Sequence, residues 1–109
     1  MWPAKRPVRR AARLDGVAPI FYDMAFDEFA APTPEGIDEI ARYVSEHRSS
    51  DDPFDIAVTA AHFPGEDITD EIARYEAVGT TWWRDGWVPG MGPSPDEWLA
   101  DVLEGPPSR

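Results

Sequence analysis

Ile68-Thr69-Asp70-Glu71-Ile72-Ala73-Arg74-Tyr75-Glu76-Ala77-Val78-Gly79-Thr80-Thr81-Trp82-Trp83-Arg84-Asp85 is the stretch whose reading decides the fold. Ile68, Ile72, Tyr75 and Val78 recur at intervals of four, three and three, which places them on one stripe of a helix. Gly79 follows the last apolar turn and can take the left-handed backbone that closes a helix without a Cβ clash. Thr80 to Trp83 are β-branched or aromatic, the types that suit a pleated sheet, so a short strand is expected before Arg84, Asp85 and Gly86 close the run. Helix, glycine and strand make half of a βαβ unit, and the same phrase occurs three times along the chain.

Working outward toward the N-terminus, a helix is expected from Lys5 to Leu14 with Val8, Ala11 and Ala12 on one face, then a strand over Val17 to Phe21. Pro19 restricts that strand to an edge or an end. A loop is expected from Tyr22 to Pro32. Thr33 and Pro34 read as the cap and first residue of a helix whose apolar positions are Ile37, Ile40, Ala41 and Val44, ending near His47 and Arg48. Phe54 to Ala61 reads as the second strand, with the large Phe54, Ile56 and Val58 toward helices and Asp55, Ala57 and Thr59 toward the other side. A loop from His62 to Glu66 precedes Asp67, an acceptor able to cap the helix quoted above. In the other direction, Ser94, Pro95 and Glu97 form a capping box for a last helix with Trp98, Leu99, Val102 and Leu103 as its apolar face, stopped by Gly105 and Pro106. The order is helix, strand, helix, strand, helix, strand, helix. Alternation of this kind predicts an α/β fold with parallel strands joined by crossovers.

Composition bounds what such a chain can do. At 109 residues, with 42% hydrophobic and 12% aromatic residues, one domain spanning 1–109 can bury a small core despite 12 prolines. Cysteine is absent, which excludes thiol nucleophiles, disulfides and zinc-thiolate sites and fits a reducing, cytoplasmic setting. No apolar run approaches the roughly 20 residues that span a bilayer, so no membrane partner is expected. The net charge is -11, yet Lys5, Arg6, Arg9, Arg10 and Arg13 all precede the first acidic residue. A nucleic-acid role is disfavoured because the acidic body repels phosphates. A solvated basic helix face is the plain reading, and a phosphate facing the helix start is the sharper one.

Three segments carry a family resemblance: Arg9-Arg10-Ala11-Ala12-Arg13-Leu14-Asp15-Gly16-Val17, Tyr75-Glu76-Ala77-Val78-Gly79-Thr80-Thr81-Trp82-Trp83, and the close at Glu104-Gly105-Pro106-Pro107. They resemble the C-terminal part of luciferase-like flavin-dependent monooxygenases, which are TIM barrels using reduced flavin mononucleotide (FMN) or a deazaflavin coenzyme. The resemblance implies a partial (β/α)8 barrel, the last three βα units, since three strands cannot close a cylinder that takes about eight. It also implies that Trp2 and Pro3 follow a strand ending in glycine, that Lys5 and Arg6 meet the flavin phosphate, and that a small organic substrate binds beside the flavin. Such an arc is expected to be inactive alone, needing a complementing N-terminal half or prone to self-association along its bare strand edges.

Active sites of barrels and open parallel sheets lie beyond the C-terminal ends of the strands. Tyr22 and Asp23, then His62, then Arg84 and Asp85 are expected in those positions. His62 is the candidate for proton transfer, because an imidazole titrates near neutral pH, although a lone loop histidine is more often simply solvated. Arg84 can grip a phosphate or carboxylate bidentately, or pair with a surface acid. Trp82 and Trp83 alternate across their strand, so one faces helices and the other the interior; Trp83 joins Tyr22, Asp23 and Arg84 as a substrate-binding candidate. No metal-ligand spacing and no nucleotide fingerprint is present. The alternative to a flavin enzyme is a small acidic interaction module with a three-stranded parallel sheet and no catalysis.

Overall fold

Helix starts follow the capping chemistry of the sequence. In the computed structural model, which describes residues 1–60, 66–86 and 93–105, the Thr33 hydroxyl accepts the Gly36 N–H at 3.0 Å and Pro34 opens α2 (Pro34–His47). Ser94 does the same for α4 (Pro95–Glu104), accepting the Glu97 N–H at 3.3 Å. Asp67 accepts the Thr69 N–H at 3.0 Å at the start of α3 (Thr69–Ala77). Each bond satisfies an amide that the first helical turn leaves without a partner. Gly79 takes φ 116° just beyond α3, where the Thr80 N–H reaches back to the Tyr75 carbonyl. That backbone is open to glycine and strained for other residues, and it is where the chain turns from helix to strand.

The remaining elements are α1 (Lys5–Ala11), β1 (Gly16–Val17), β2 (Phe21–Asp23), β3 (Glu28–Ala30), β4 (Asp55–Ala60) and β5 (Trp82–Asp85). β1, β4 and β5 form one parallel sheet in chain order. Gly16 stands opposite Asp55, Val17 opposite Ile56, and Ala57 to Ala60 opposite Trp82 to Asp85. At Gly16 the two backbones nearly touch, since an added Cβ would lie 2.7 Å from the Asp55 carbonyl oxygen. Among the described residues the fold is α/β, with a three-stranded parallel sheet and four helices, as the alternation predicts.

Three expectations are corrected. The strand expected over Val17 to Phe21 breaks in two, because Pro19 offers no N–H to a ladder. The segment expected as a loop after it contains an antiparallel hairpin, with Phe21 opposite Ala30, Tyr22 opposite Phe29 and Asp23 opposite Glu28. The aromatic cross-strand pair Tyr22 and Phe29, 5.7 Å apart and edge to face, favours pairing over a loop. The first helix ends at Ala11 rather than Leu14, where the guanidinium of Arg48 takes over the carbonyls of Ala12 and Leu14.

The core lies on one side of the sheet. Val8 and Ala12 of the α1 segment, Ile37, Ile40 and Val44 of α2, and Tyr75 of α3 cluster with Ile56 and Val58 of β4, with Val17 and Trp83 packed against them. The expected helix stripe is present, with Ile68 and Tyr75 buried and Ile72 and Val78 half-buried. α2 packs between α1 and α3, so these three helices follow the strand order on one face. In β4 the alternation is clean: Ile56 and Val58 are buried while Asp55 and Thr59 are exposed. α4 departs from expectation. Leu99, Val102 and Leu103 remain exposed, the last at 77%, so its apolar stripe is not part of the core.

Candidate functional site

Two side chains of β5, Trp82 and Arg84, stand on the face of the sheet opposite the helices. Parallel partners in register share a face, so Ala57 and Trp82 lie together there, as do Thr59 and Arg84 one step further toward the C-terminal ends. Trp82 is 61% exposed and Arg84 is exposed. Trp83 points the other way, half-buried with its ring 5.4 Å from that of Tyr75, so the bare-face tryptophan of the pair is Trp82. Trp83 is thereby set against the helix α3, away from Arg84, the candidate next to it in sequence.

Tyr22 and Asp23 lie on β2, outside the three-stranded sheet and within a strand rather than the expected loop. The N–H of Trp2 donates to the Ile20 carbonyl at 2.7 Å, and the Tyr22 N–H to the Trp2 carbonyl at 2.9 Å, a parallel bridge that pairs Trp2 with Phe21. Both paired side chains are buried, so Ile20 and Tyr22 face away from the helices. The Tyr22 hydroxyl donates to the carboxylate of Asp27. That bond holds the phenol proton and raises the Tyr22 pKa above its ordinary 10.0. Asp27 has φ 53°, in the left-handed region where Asp and Asn are the commonest residues after glycine. The Asp23 carboxylate accepts the Ala25 N–H at 2.9 Å and so shapes the same turn. Asp27 was not singled out by sequence. An acid between aromatic residues in a short hairpin turn was the available signal.

Beside Tyr22 lies a cavity of about 490 Å³ lined by Met1, Pro3, Ala4, Tyr22 and Met24. A volume in this range holds a small organic molecule. Lys5 and Arg6, the phosphate candidates, are both exposed. The Lys5 ammonium sits 4.0 Å from the centroid of the Trp2 ring and 5.2 Å from that of Tyr43, a cation–π arrangement on the helix side. His62 lies outside the described residues. The other histidine, His47, stacks on Tyr43 at 4.1 Å and its Nδ1 lies 2.8 Å from the Tyr43 carbonyl oxygen, which keeps it at the end of α2. Among the described residues no group of three or more His, Asp or Glu side chains is arranged to hold a metal ion, and no helix is long and apolar enough to cross a membrane.

The sheet therefore brings Thr59, Trp82 and Arg84 together, whereas Tyr22 and the cavity belong to the separate β2–β3 hairpin and its bridge to Trp2. No protein-family model, curated protein sequence or solved structure matches the chain.

Proposed function

We propose that the chain is an arc of a flavin- or deazaflavin-dependent oxidoreductase of the luciferase-like barrel type and contributes part of the rim around the cofactor. One observation supports this above the others: β1, β4 and β5 are parallel and adjacent in chain order, with α1, α2 and α3 on a single face and, among the described residues, Asp55, Thr59, Trp82 and Arg84 exposed on the other. A doubly wound sheet reverses its strand order and covers both faces, whereas a barrel keeps chain order and leaves one face for its interior.

The residues present fit a flavin phosphate in charge. Arg6 is exposed and the first turn of α1 contains no acidic residue, while the Lys5 ammonium lies over the Trp2 and Tyr43 rings on the helix side. Bound flavin supplies hydride transfer or oxygen insertion, which is the cofactor's own chemistry. Arg84 holds an anionic group at the sheet end by a bidentate contact, Trp82 offers an aromatic surface, and Tyr22 with Asp23 borders the substrate.

Flavin fluorescence tests the reading. The chain alone is expected to leave FMN and deazaflavin emission unchanged, and a mixture with the first five βα units of a luciferase-like barrel is expected to quench it. Tight unaided binding, or no quenching by the mixture, defeats the proposal. The second reading, an acidic docking module, is favoured by the exposed Leu99, Val102 and Leu103 on α4.

A further inference from the structure

The geometry points to the cavity beside Tyr22 as a binding site for a small hydrophobic ammonium compound, a molecule with an apolar body and a protonated amine at one end. This inference stands on the cavity and its hydrogen bonding and does not require a flavin.

The lining decides the body of the ligand. The side chains of Met1, Pro3, Ala4 and Met24 are apolar, and two of them are flexible methionines able to adapt to an irregular shape. Phe26 and Phe29 are exposed in the hairpin that carries Tyr22 and Met24. Tyr22 supplies the one polar side chain of the lining.

Hydrogen-bond bookkeeping decides the head group. A tyrosine hydroxyl has a single proton, and that of Tyr22 is given to Asp27. What remains at this corner is a phenol lone pair and the free acceptor positions of a carboxylate. Only a donor is complementary to them, and a charged donor more than a neutral one. Asp23, Asp27 and Glu28 all lie in this hairpin and oppose an anion, while the Lys5 ammonium is held over Trp2 and Tyr43. Tyr22 and Phe29 add aromatic surface suited to a cation.

The test uses the full chain acetylated at Met1, so that the terminal ammonium does not compete at the cavity wall. Phenethylammonium, 2-phenylethanol and phenylacetate are titrated in turn while the Met1 and Met24 methyl and Tyr22 ring resonances are followed. Phenethylammonium is expected to shift these resonances with a dissociation constant on the order of 1 mM, the range for so small a ligand. The alcohol is expected to bind several-fold more weakly and the carboxylate not at all. Asp27→Asn removes the charge but tolerates the left-handed backbone, and is expected to weaken the amine about tenfold. Persistence of Tyr22–Phe29 ring contacts verifies the hairpin in that variant; if they are lost, the ranking of the three compounds on the unsubstituted chain decides alone. Equal binding of phenylacetate, shifts confined to other residues, or undiminished affinity in an intact Asp27→Asn hairpin would overturn the assignment. None of these outcomes alters the flavin titration, so the two proposals fail separately.

Discussion

The hydroxyl of Tyr75 donates to the carbonyl oxygen of Pro32 at 2.7 Å, tying α3 to the chain just ahead of the Thr33 cap of α2. Tyr75→Phe keeps the ring packing but leaves that carbonyl without its donor, and is expected to lower stability by about 1 kcal/mol in urea unfolding. Burial, and then the negative charge of Glu71, raise the Tyr75 pKa above 10.0. A raised folded value means that its contribution is complete below pH 10.0 and is lost as pH climbs through the folded pKa. The unsubstituted chain should therefore lose stability on the alkaline side faster than Tyr75→Phe does.

Gly36 sits on the first turn of α2 directly beneath Phe21, and a Cβ there would overlap the phenyl ring. Gly36→Ala should cost about 1–3 kcal/mol by overpacking although alanine is the better helix former. Pairing it with Phe21→Leu should recover part of the loss, a coupling that a double-mutant cycle measures directly.

Arg48 closes α1 from outside. Its guanidinium donates to the carbonyls of Ala12 and Leu14 and, at 3.2 Å, to that of Asp52, while its plane lies 5.0 Å from the Phe54 ring. A lysine keeps the charge and three donors, but its single nitrogen cannot reproduce the planar reach of two guanidinium nitrogens to carbonyls on both sides. Arg48→Lys is expected to destabilise the chain by about 1–2 kcal/mol and to speed amide exchange around Leu14 more than in α3.

Trp82 and Trp83 should separate cleanly by substitution. Trp83→Ala removes a half-buried ring packed on Tyr75 and should cost about 2–3 kcal/mol, whereas Trp82→Ala on the exposed face should cost less than about 0.5 kcal/mol. If the larger loss follows Trp82, the strand faces the opposite way.

Asp67 gives the acid side of the pH profile. The backbone N–H of Thr69, and then its hydroxyl, stabilise the carboxylate and lower its pKa below 3.8. A lowered folded value contributes stability above the unfolded pKa and loses it as pH falls through the folded one. Between about pH 5 and about pH 2, helical circular dichroism should fall in the native chain, with a smaller share of the fall in Asp67→Asn.

Much of the architecture was legible because it rests on local chemistry. The Thr33–Pro34 and Ser94–Pro95 starts, the Gly79 stop and the Ile56–Val58 alternation are each written in a few adjacent residues and hold in three dimensions. The hairpin was not legible, because Tyr22 and Phe29 lie in a Pro-flanked acidic segment whose pairing depends on an aspartate in a left-handed turn. The apolar stripe of α4 was legible as a helix face, but periodicity does not state whether anything lies opposite it. The candidate site was half legible. The rule of looking beyond strand ends singled out Tyr22 and Arg84, yet both lie inside strands, β2 and β5, and the cavity depends on Met1 and Met24 meeting across a bridge at Trp2.

The close approach of Gly16 to Asp55 has a further implication for how freely this chain can vary. Position 16 is confined by a neighbouring backbone that has nowhere to retreat, whereas Gly105, with φ 84° and open space around it, is confined by its own torsion alone. A saturation library selected for folding should return glycine at both, at the first because any Cβ meets the Asp55 backbone and at the second because φ 84° with ψ -177° is open essentially to glycine alone.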